Sequence, residues 1–344
     1  MVKVGIVGAS GYGGGELLRW IAGHPHARVE VAISDTYAGR PASCTFPGLA
    51  KRGDIVFASR EASLEACDVV FLARDNGVAM ALAPDLVAQG KKVIDLSADY
   101  RFRDPAVYDA WYKGPHASPE LTRAAVYGLP ELHRDAIRRA TLVGNPGCYT
   151  TAAILALAPL LAHRRIDPAT ILVDAKTGVS GAGRSKFLLD YHFPELNESA
   201  CAYKIAGAHR HTPEIEQELS EIAGEPIALS FTPHLVPMTR GILATCYATL
   251  PAPVDADTLR EEMRRFYADA PFVWVTDALP ATKHVLGSNM CHIGLGVDAR
   301  TRRVTVVSAI DNLGKGQAGA AVQNMNLMCG FDETAGLNAP GLWP

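Results

Sequence analysis

The sequence predicts an α/β fold in two parts: an N-terminal Rossmann-type domain with a parallel sheet, and a C-terminal α+β domain with a largely antiparallel sheet. Three observations predict it. In the first third, short β-branched runs alternate with helical patterns, and the first run ends in a glycine-rich turn. After residue 165, most predicted strands follow one another without a helix between them. The length of 344 residues is enough for two hydrophobic cores.

The N-terminal elements follow the pattern of βαβ units, which indicates a parallel sheet. The segment 99–135 is rich in Tyr, Pro, Arg and Asp and has no clean period, so we expect long loops over the sheet there. Strands are predicted over 2–8, 28–34, 68–73, 91–97 and 140–145, and helices over 12–23 and 77–89.

The C-terminal elements predict a largely antiparallel sheet with helices on one face. One of these helices begins with Thr212 as its predicted N-cap, and the segment 314–330 is helical and rich in Ala. Strands are predicted over 170–178, 226–235, 241–250, 291–298 and 302–312, and helices over 212–224 and 255–269.

Composition excludes several classes of protein. With 48% hydrophobic and 20% charged residues, the chain is typical of globular proteins, and a net charge of -3 gives no footprint for nucleic acid. The apolar stretch from Tyr149 to Ala162 is too short to span a membrane, and the start runs directly into a strand. Seven scattered cysteines without a Cys-x-x-Cys pair disfavour a disulfide framework and a zinc site. We therefore expect a cytoplasmic protein that binds neither membrane nor nucleic acid.

The first chemical motif is the turn "VGASGYGGGELLR". Gly8, Gly11 and Gly14 lie between a strand and a helix, where backbone N–H groups and the helix dipole can hold a pyrophosphate. The alternative is a tight turn between packed elements. Asp35 lies at the end of the second strand, 21 residues after Gly14. An acid there usually accepts the ribose 2′-hydroxyl and favours NAD, although a solvated loop residue is the alternative.

Cys148 follows the end of a predicted parallel strand and opens the next helix, as part of "VGNPGCYTTA". Ligands bind at this edge of open α/β sheets, and the helix dipole there favours a thiolate. A thiolate beside a nicotinamide indicates thioester chemistry. The alternative is a small core residue at the beginning of a helix.

Covalent chemistry of this kind also needs a proton donor and acceptor, usually His. In "AHRHTPEI", His209 and His211 flank Arg210 just before a helix, and no third ligand motif supports a metal. Arg101, Arg210, Arg240, and Arg184 with Ser180 are candidates for binding an anion, although each is also compatible with an ordinary surface charge.

Together these segments resemble the N-acetyl-γ-glutamyl-phosphate reductase family, the arginine-pathway relatives of aspartate-semialdehyde dehydrogenase. The motifs are "GASGYGGGEL", "DLSADYRFRD", "YGLPEL", "NPGCYTTA", "DAKTGVSGAGR", "AHRHTPEI", "PMTRGI" and "AIDNLGKGQAGAAVQNMN". The resemblance implies NADPH-dependent reduction of a small anionic acyl phosphate to an aldehyde, by a homodimer or homotetramer. It implies that 1–147 and 314–344 bind the dinucleotide and that 148–313 catalyses the reaction and forms the oligomer, with the final helix returning to the first domain.

The resemblance also assigns the site residues, with no metal among their ligands. Cys148 becomes the nucleophile and His209 the acid/base, although His211 is close enough in the motif to be confused with it. The cofactor residues are Gly8, Ser10, Gly11, Tyr12, Gly13, Gly14, Ser34, Asp35, Thr36, Ser180, Gly181 and Asn312. The substrate residues are Arg101, Asn145, Arg184, Arg210, Glu214 and Arg240.

Two positions depart from the family pattern. The chain has "ARDNG" at 73–77 where members usually carry "ALPHG", and Asp35 stands where a basic residue is common. The chain-wide match still favours NADPH. Three alternative functions remain: a lysine-pathway reductase of a carrier-linked α-aminoadipyl phosphate, aspartate-semialdehyde dehydrogenase itself, and a non-catalytic dinucleotide sensor.

Overall fold

A computed structural model describes residues 1–112, 114–185 and 188–343, which divide into two compact units. The first unit comprises Met1–Pro146, Gly183–Ser185 and Gln317–Ala339. The second comprises Gly147–Ala182 and the described parts of 186–316 and 340–344.

The first unit contains a six-stranded sheet in which every neighbouring pair is parallel, in the order β2-β1-β3-β4-β6-β5. The prediction of a Rossmann-type parallel sheet is confirmed. Strand β3 is buried over its whole length, as expected for a parallel strand covered on both faces. Its elements are β1 Val2–Val7, α1 Tyr12–Ala22, β2 Ala27–Ile33, β3 Val69–Leu72, α2 Ala79–Ala88, β4 Lys92–Asp95, α3 Pro105–Tyr112, α4 Pro119–Ala124, β5 Val126–Tyr127, α5 Pro130–Arg139 and β6 Leu142–Gly144.

The prediction of long loops over 99–135 was wrong, because this segment holds three helices and a short strand. Pro105, Pro119 and Pro130 are each the first residue of a helix. Proline is well tolerated there because its missing N–H has no partner within the first turn. The prolines that hide the helical period in the sequence therefore mark where the helices begin.

The second unit contains a seven-stranded sheet in the order β11-β12-β13-β10-β7-β9-β8. Two neighbouring pairs, β11–β12 and β7–β9, are parallel and the others antiparallel, so the prediction of a largely antiparallel sheet is confirmed. The short strands β8 and β11 were not predicted. The elements are α6 Cys148–Ala162, β7 Leu172–Thr177, α7 Phe193–Leu196, β8 Cys201–Ala202, α8 Thr212–Ala223, β9 Ser230–Leu235, β10 Ile242–Thr249, α9 Ala256–Phe266, β11 Val273–Val275, β12 Cys291–Asp298 and β13 Arg303–Ile310.

Helix α6 forms the centre of the second unit's core. Residues 149–161 are buried throughout, and the helix contacts α8, α9, β10 and β13. Strand β10 alternates buried and half-buried residues, which is the period-2 pattern of a strand with one face on a core. Tyr267 and Ser308 donate hydrogen bonds of 2.7 Å to carbonyls of α6. The first residue of α6, Cys148, is therefore held by a helix that is fixed on several sides.

Two helix boundaries differ from the sequence predictions. His211, not Thr212, is the N-cap of α8, and it makes no side-chain capping bond. Thr212 is the first helical residue, with Pro213 next to it in the first turn. The predicted helix over 314–330 begins instead as a π-helical turn, Gly314–Ala318, which is followed by α10, Gly319–Met328.

Candidate active site

The glycine-rich turn after β1 is packed tightly against the protein's own backbone. Gly8 has a φ of +92°, and a Cβ added to it would lie 2.3 Å from the carbonyl oxygen of Ala73. A Cβ added to Gly14 would lie 2.4 Å from the carbonyl oxygen of Gly8. Gly11 precedes α1 and carries no capping side chain. The predicted turn therefore leaves a side-chain-free helix N-terminus, which suits a pyrophosphate.

The predicted cofactor residues of this unit lie close together at the ends of β1 and β2. The hydroxyl of Ser34 donates to that of Ser10 at 2.7 Å, and the backbone N–H of Tyr37 donates to the Ser34 hydroxyl at 3.1 Å. Thr36 is exposed, and Tyr12 is 38% exposed at the beginning of α1. The structure therefore brings these residues together at the carboxyl ends of β1 and β2.

Asp35 does not stand alone at the end of β2. Its carboxylate accepts a hydrogen bond of 2.7 Å from the guanidinium of Arg74, which follows β3. The guanidinium of Arg60 lies 3.8 Å from the same oxygen. The two departures from the family pattern thus form an ion pair.

Arg184, predicted as a substrate residue, belongs to the first unit and lies among the predicted cofactor residues. Its guanidinium donates to the carbonyl of Ser10 at 3.0 Å and to the hydroxyl of Tyr37 at 3.3 Å. It also lies 5.1 Å from the centre of the Tyr37 ring. Arg184 therefore contacts Ser10, which is predicted to bind the cofactor, and its neighbour in space Tyr37.

Cys148 is the first residue of α6 and is partly exposed, whereas the next residues of the helix are buried. Gly147 precedes it in extended backbone geometry, and a Cβ on Gly316 would lie 2.9 Å from the Cβ of Cys148. Such close backbone packing holds the cysteine in one place. Helix N-termini favour the thiolate form of a cysteine.

Glu214 of α8 fixes the turn before the cysteine. It is fully buried, and its Oε1 accepts hydrogen bonds from the N–H of Gly147 at 2.8 Å and from the hydroxyl of Thr150 at 2.9 Å. One carboxyl group thus satisfies two polar groups at the beginning of α6. This contact connects α8, which follows the histidine motif, to the helix that carries Cys148.

His209 is 8% exposed and is surrounded by rings. The ring centres of His211, Phe231, Tyr149 and Tyr203 lie 4.8, 5.2, 5.6 and 5.6 Å from its own. Burial, with a smaller contribution from His211, lowers the pKa of His209 to about 2. The side chain is therefore neutral near pH 7.

The tautomer of His209 follows from one hydrogen bond. Its Nδ1 accepts from the backbone N–H of His211 at 3.1 Å, so the proton of the neutral ring is on Nε2. Beside it, the hydroxyls of Tyr149 and Tyr203 lie 3.1 Å apart, and burial raises the pKa of both phenols. Sequence reasoning missed Tyr203, which lies in a segment without a recognisable motif.

The structure brings three further cofactor candidates together in the second unit. Asn312 is 2% exposed; its amide donates to the Ser180 hydroxyl at 2.9 Å and accepts from the N–H of Gly241 at 2.8 Å. A Cβ on Gly181 would lie 3.9 Å from the same amide nitrogen. The side chain of Asn312 is therefore held in a fixed orientation.

The predicted substrate residues differ in how far their side chains are exposed to solvent. Arg101 is 7% exposed and donates to the carbonyls of Asn145 and Leu96 at 2.7 and 3.1 Å. Asn145 is fully buried and donates to the carbonyl of Gln317 at 3.0 Å. Both side chains thus donate hydrogen bonds to the protein's own backbone, and their assignment to the substrate stays a prediction.

The other two arginines of the set lie in the second unit. Arg240 donates to the buried carboxylate of Asp311 at 2.9 Å, which offsets its charge. Arg210 is exposed beside His209. Among the four arginines that were predicted to bind an anion, Arg210 is the most open to a ligand.

Comparison with known proteins gives the family. A family model described as "Semialdehyde dehydrogenase, NAD binding domain" matches residues 3–140, and one described as "Semialdehyde dehydrogenase, dimerisation domain" matches residues 148–312. The N-acetyl-γ-glutamyl-phosphate reductase of Symbiobacterium thermophilum is 56% identical over 100% of this chain and 99% of its own. The chain belongs to the N-acetyl-γ-glutamyl-phosphate reductase family. A second member, from Geobacter metallireducens, is 53% identical over the full length of both chains.

Solved structures agree with this family at the level of the fold. Aspartate semialdehyde dehydrogenase II from Vibrio cholerae matches with a TM-score of 0.72 and 18% identity, over 95% of this chain and 98% of its own. The Candida albicans aspartate semialdehyde dehydrogenase with NADP matches with a TM-score of 0.68 and 17% identity, over 96% and 98%. The resemblance inferred from the sequence is confirmed, and the chain is an oxidoreductase of the semialdehyde dehydrogenase type with a domain that binds a nicotinamide dinucleotide. Across the described residues, no helix combines the length and the apolar character that a membrane crossing requires.

Proposed function

We propose that the chain reduces N-acetyl-γ-glutamyl phosphate to N-acetyl-glutamate 5-semialdehyde with NADPH, through a thioester on Cys148, as a step of arginine biosynthesis. The observation that carries this proposal is the position of Cys148. It is the partly exposed first residue of an otherwise buried helix, in a chain whose full-length relatives carry this reductase's name. A buried cysteine that only fills space has no need of an exposed helix N-terminus.

The residues of the first unit fit a dinucleotide. At Gly8 and Gly14 a Cβ would collide with the protein's own backbone, so glycine keeps the turn tight and α1 begins directly after β1, where its N-terminal N–H groups would bind a pyrophosphate. Ser10 and Ser34, joined by a hydrogen bond, would hold the adenosine ribose, and Arg184 would support this loop through the Ser10 carbonyl. In the second unit, Asn312 and Ser180 would orient the nicotinamide amide. When bound, NADPH supplies the hydride that reduces the thioester.

Cys148 provides the covalent step. The thiolate Sγ attacks the γ-carbonyl carbon, the C–O bond to phosphate breaks with its electron pair on phosphate, and the thioester forms. Hydride addition leaves a thiohemiacetal oxyanion, which re-forms its C=O bond as the C–S bond breaks with its electron pair on sulfur. This step releases the aldehyde and returns the thiolate. Glu214 is a positioning residue in this scheme, because it holds the Gly147 N–H and so the turn that places the sulfur.

His209 stabilises the negative charge that develops on the carbonyl oxygen. In its neutral form the ring donates from Nε2, so it stabilises the oxyanion that develops during attack and reduction. The same Nε2–H donates to the thiohemiacetal oxyanion until that oxyanion collapses to the aldehyde. Arg210, exposed beside His209, would bind the phosphate or carboxylate of the substrate.

The proposed roles of the two domains follow the two family models, which describe an NAD binding domain and a dimerisation domain. We propose that 1–147 with 314–344 binds the cofactor, and that 148–313 catalyses the reaction and forms a homodimer or homotetramer. The support for this interface is the dimerisation-domain family model, which matches residues 148–312. We also propose a cytoplasmic location, where free cysteines persist. Size-exclusion chromatography with light scattering measures the oligomer, and a monomer would contradict it.

The reaction is best tested in reverse. Purified protein is incubated with phosphate, NADP⁺ and one semialdehyde at a time: N-acetyl-glutamate semialdehyde, aspartate semialdehyde, or carrier-linked α-aminoadipate semialdehyde. The proposal predicts reduction of NADP⁺ with the first, dependent on phosphate. A higher kcat/KM with either of the other semialdehydes would show that it is the substrate instead. No turnover with any of the three would favour a dinucleotide sensor.

A further inference from the structure

Arg74 entered the sequence analysis only as part of the "ARDNG" departure from the family pattern. Arg74 follows β3, whose last residue pairs in parallel with the last residue of β1. A Cβ on Gly8 would lie 2.8 Å from the Cδ of Arg74, so the arginine stem crosses the glycine turn. Its guanidinium reaches the Asp35 carboxylate at 2.7 Å. Arg74 therefore spans the carboxyl ends of three neighbouring strands.

This is where open α/β sheets hold the adenosine ribose of a dinucleotide. A lone carboxylate after the second strand accepts the ribose hydroxyls and repels a 2′-phosphate, whereas an arginine nearby accommodates that phosphate. Asp35 is not alone, since Arg74 binds it and Arg60 lies at 3.8 Å. Two guanidinium groups on one carboxylate more than balance its charge.

We propose that Arg74, held in place by Asp35, recognises the 2′-phosphate of NADPH and sets the cofactor preference of this chain. The inference rests on the proposed function only in that the chain binds NADPH. The Arg74 and Asp35 side chains are 34% and 27% exposed, so a ligand can reach the pair. A guanidinium presents several N–H donors in a plane, and one can remain on Asp35 while others bind phosphate oxygens. Asp35 is then a positioning residue, not the discriminating group.

The test measures binding without turnover. Isothermal titration gives the dissociation constants of NADP⁺, NAD⁺ and the fragments adenosine 2′,5′-bisphosphate and 5′-AMP. Arg74→Gln should weaken NADP⁺ and the bisphosphate by at least about tenfold, and leave NAD⁺ and 5′-AMP within about twofold. Arg74→Lys keeps the positive charge but not the planar guanidinium, so its affinity for NADP⁺ should fall less than that of Arg74→Gln. The thermal midpoint of each apo variant checks that it is folded.

Arg60→Gln is the matched control, because it makes the same chemical change beside the same carboxylate. Its side chain is 70% exposed and its contact is longer, so the loss for NADP⁺ should stay below about threefold. Equal loss of NADP⁺ and NAD⁺ affinity in Arg74→Gln would overturn the inference, as would unchanged NADP⁺ affinity. Tighter binding of NAD⁺ than of NADP⁺ by the unmodified chain would also overturn it. None of these measurements involves Cys148 or the acyl phosphate, so they fail or succeed separately from the proposed reaction.

Discussion

Replacing His209 with Asn should reduce the loss of folding stability that occurs as the pH falls below about 6.5. In the folded protein, burial lowers the pKa of His209 from 6.5 to about 2, whereas in the unfolded chain the group titrates near its ordinary value. Between these values the unfolded chain binds a proton that the folded chain does not bind. Stability therefore falls as the pH falls below about 6.5, by ~1.4 kcal/mol per pH unit from this residue.

From pH 6.5 to pH 4.5 the contribution of His209 amounts to roughly 2.5 kcal/mol. Urea unfolding at several pH values gives the free energy of unfolding of both proteins. Over this interval the free energy of unfolding of the unmodified chain should fall by about that amount more than that of His209→Asn. His211→Asn is the matched control and should keep most of the slope, because His209 stays buried in it. Parallel curves for the unmodified chain and His209→Asn would refute the burial and neutral state assigned to this ring.

Four further outcomes are expected. Cys148→Ser should fold and bind cofactor but lose turnover, because a serine hydroxyl is a far poorer nucleophile than a thiolate, and comparable kcat would end the covalent scheme. His209→Asn should lose about 10²–10³ in kcat through the missing donor to the oxyanion and His211→Asn less, with the reverse order contradicting the assignment. Glu214→Ala leaves the buried N–H of Gly147 without its acceptor and should cost roughly 1–3 kcal/mol of stability by urea unfolding, whereas Glu214→Gln keeps an acceptor oxygen and should cost less. The kcat/KM should be higher with NADPH than with NADH; if NADH is preferred instead, Asp35→Ser or Asp35→Arg should shift the ratio toward NADPH.

The fold was predictable where local sequence and tertiary packing require the same structure. At the β1–α1 turn, Gly8 and Gly14 are glycines because a Cβ would collide with backbone atoms, so the motif is visible in the sequence. In 99–135 the local sequence is misleading. Its three prolines suggest loops, but in the structure each is the first residue of a helix. Short strands such as β8 have too few residues to show a period.

The sequence predicts candidate site residues but not the contacts between them. Asp35 and Arg74 are 39 residues apart in the chain, and Arg240 and Asp311 are 71 apart. No local pattern connects such pairs, because only the order of strands in the sheets brings them together. An arginine predicted to bind substrate and an arginine that neutralises a buried carboxylate therefore look the same in the sequence.

The most direct test of the central claim is to trap the thioester. The protein is mixed with N-acetyl-γ-glutamyl phosphate without NADPH, quenched in acid, and its intact mass and peptides are measured. The account predicts one N-acetylglutamyl group per active chain, located on the peptide that contains Cys148, with release of one equivalent of phosphate, and neither change in Cys148→Ser. An acyl group on another residue, or reduction of the acyl phosphate by Cys148→Ser at the rate of the unmodified chain, would contradict it.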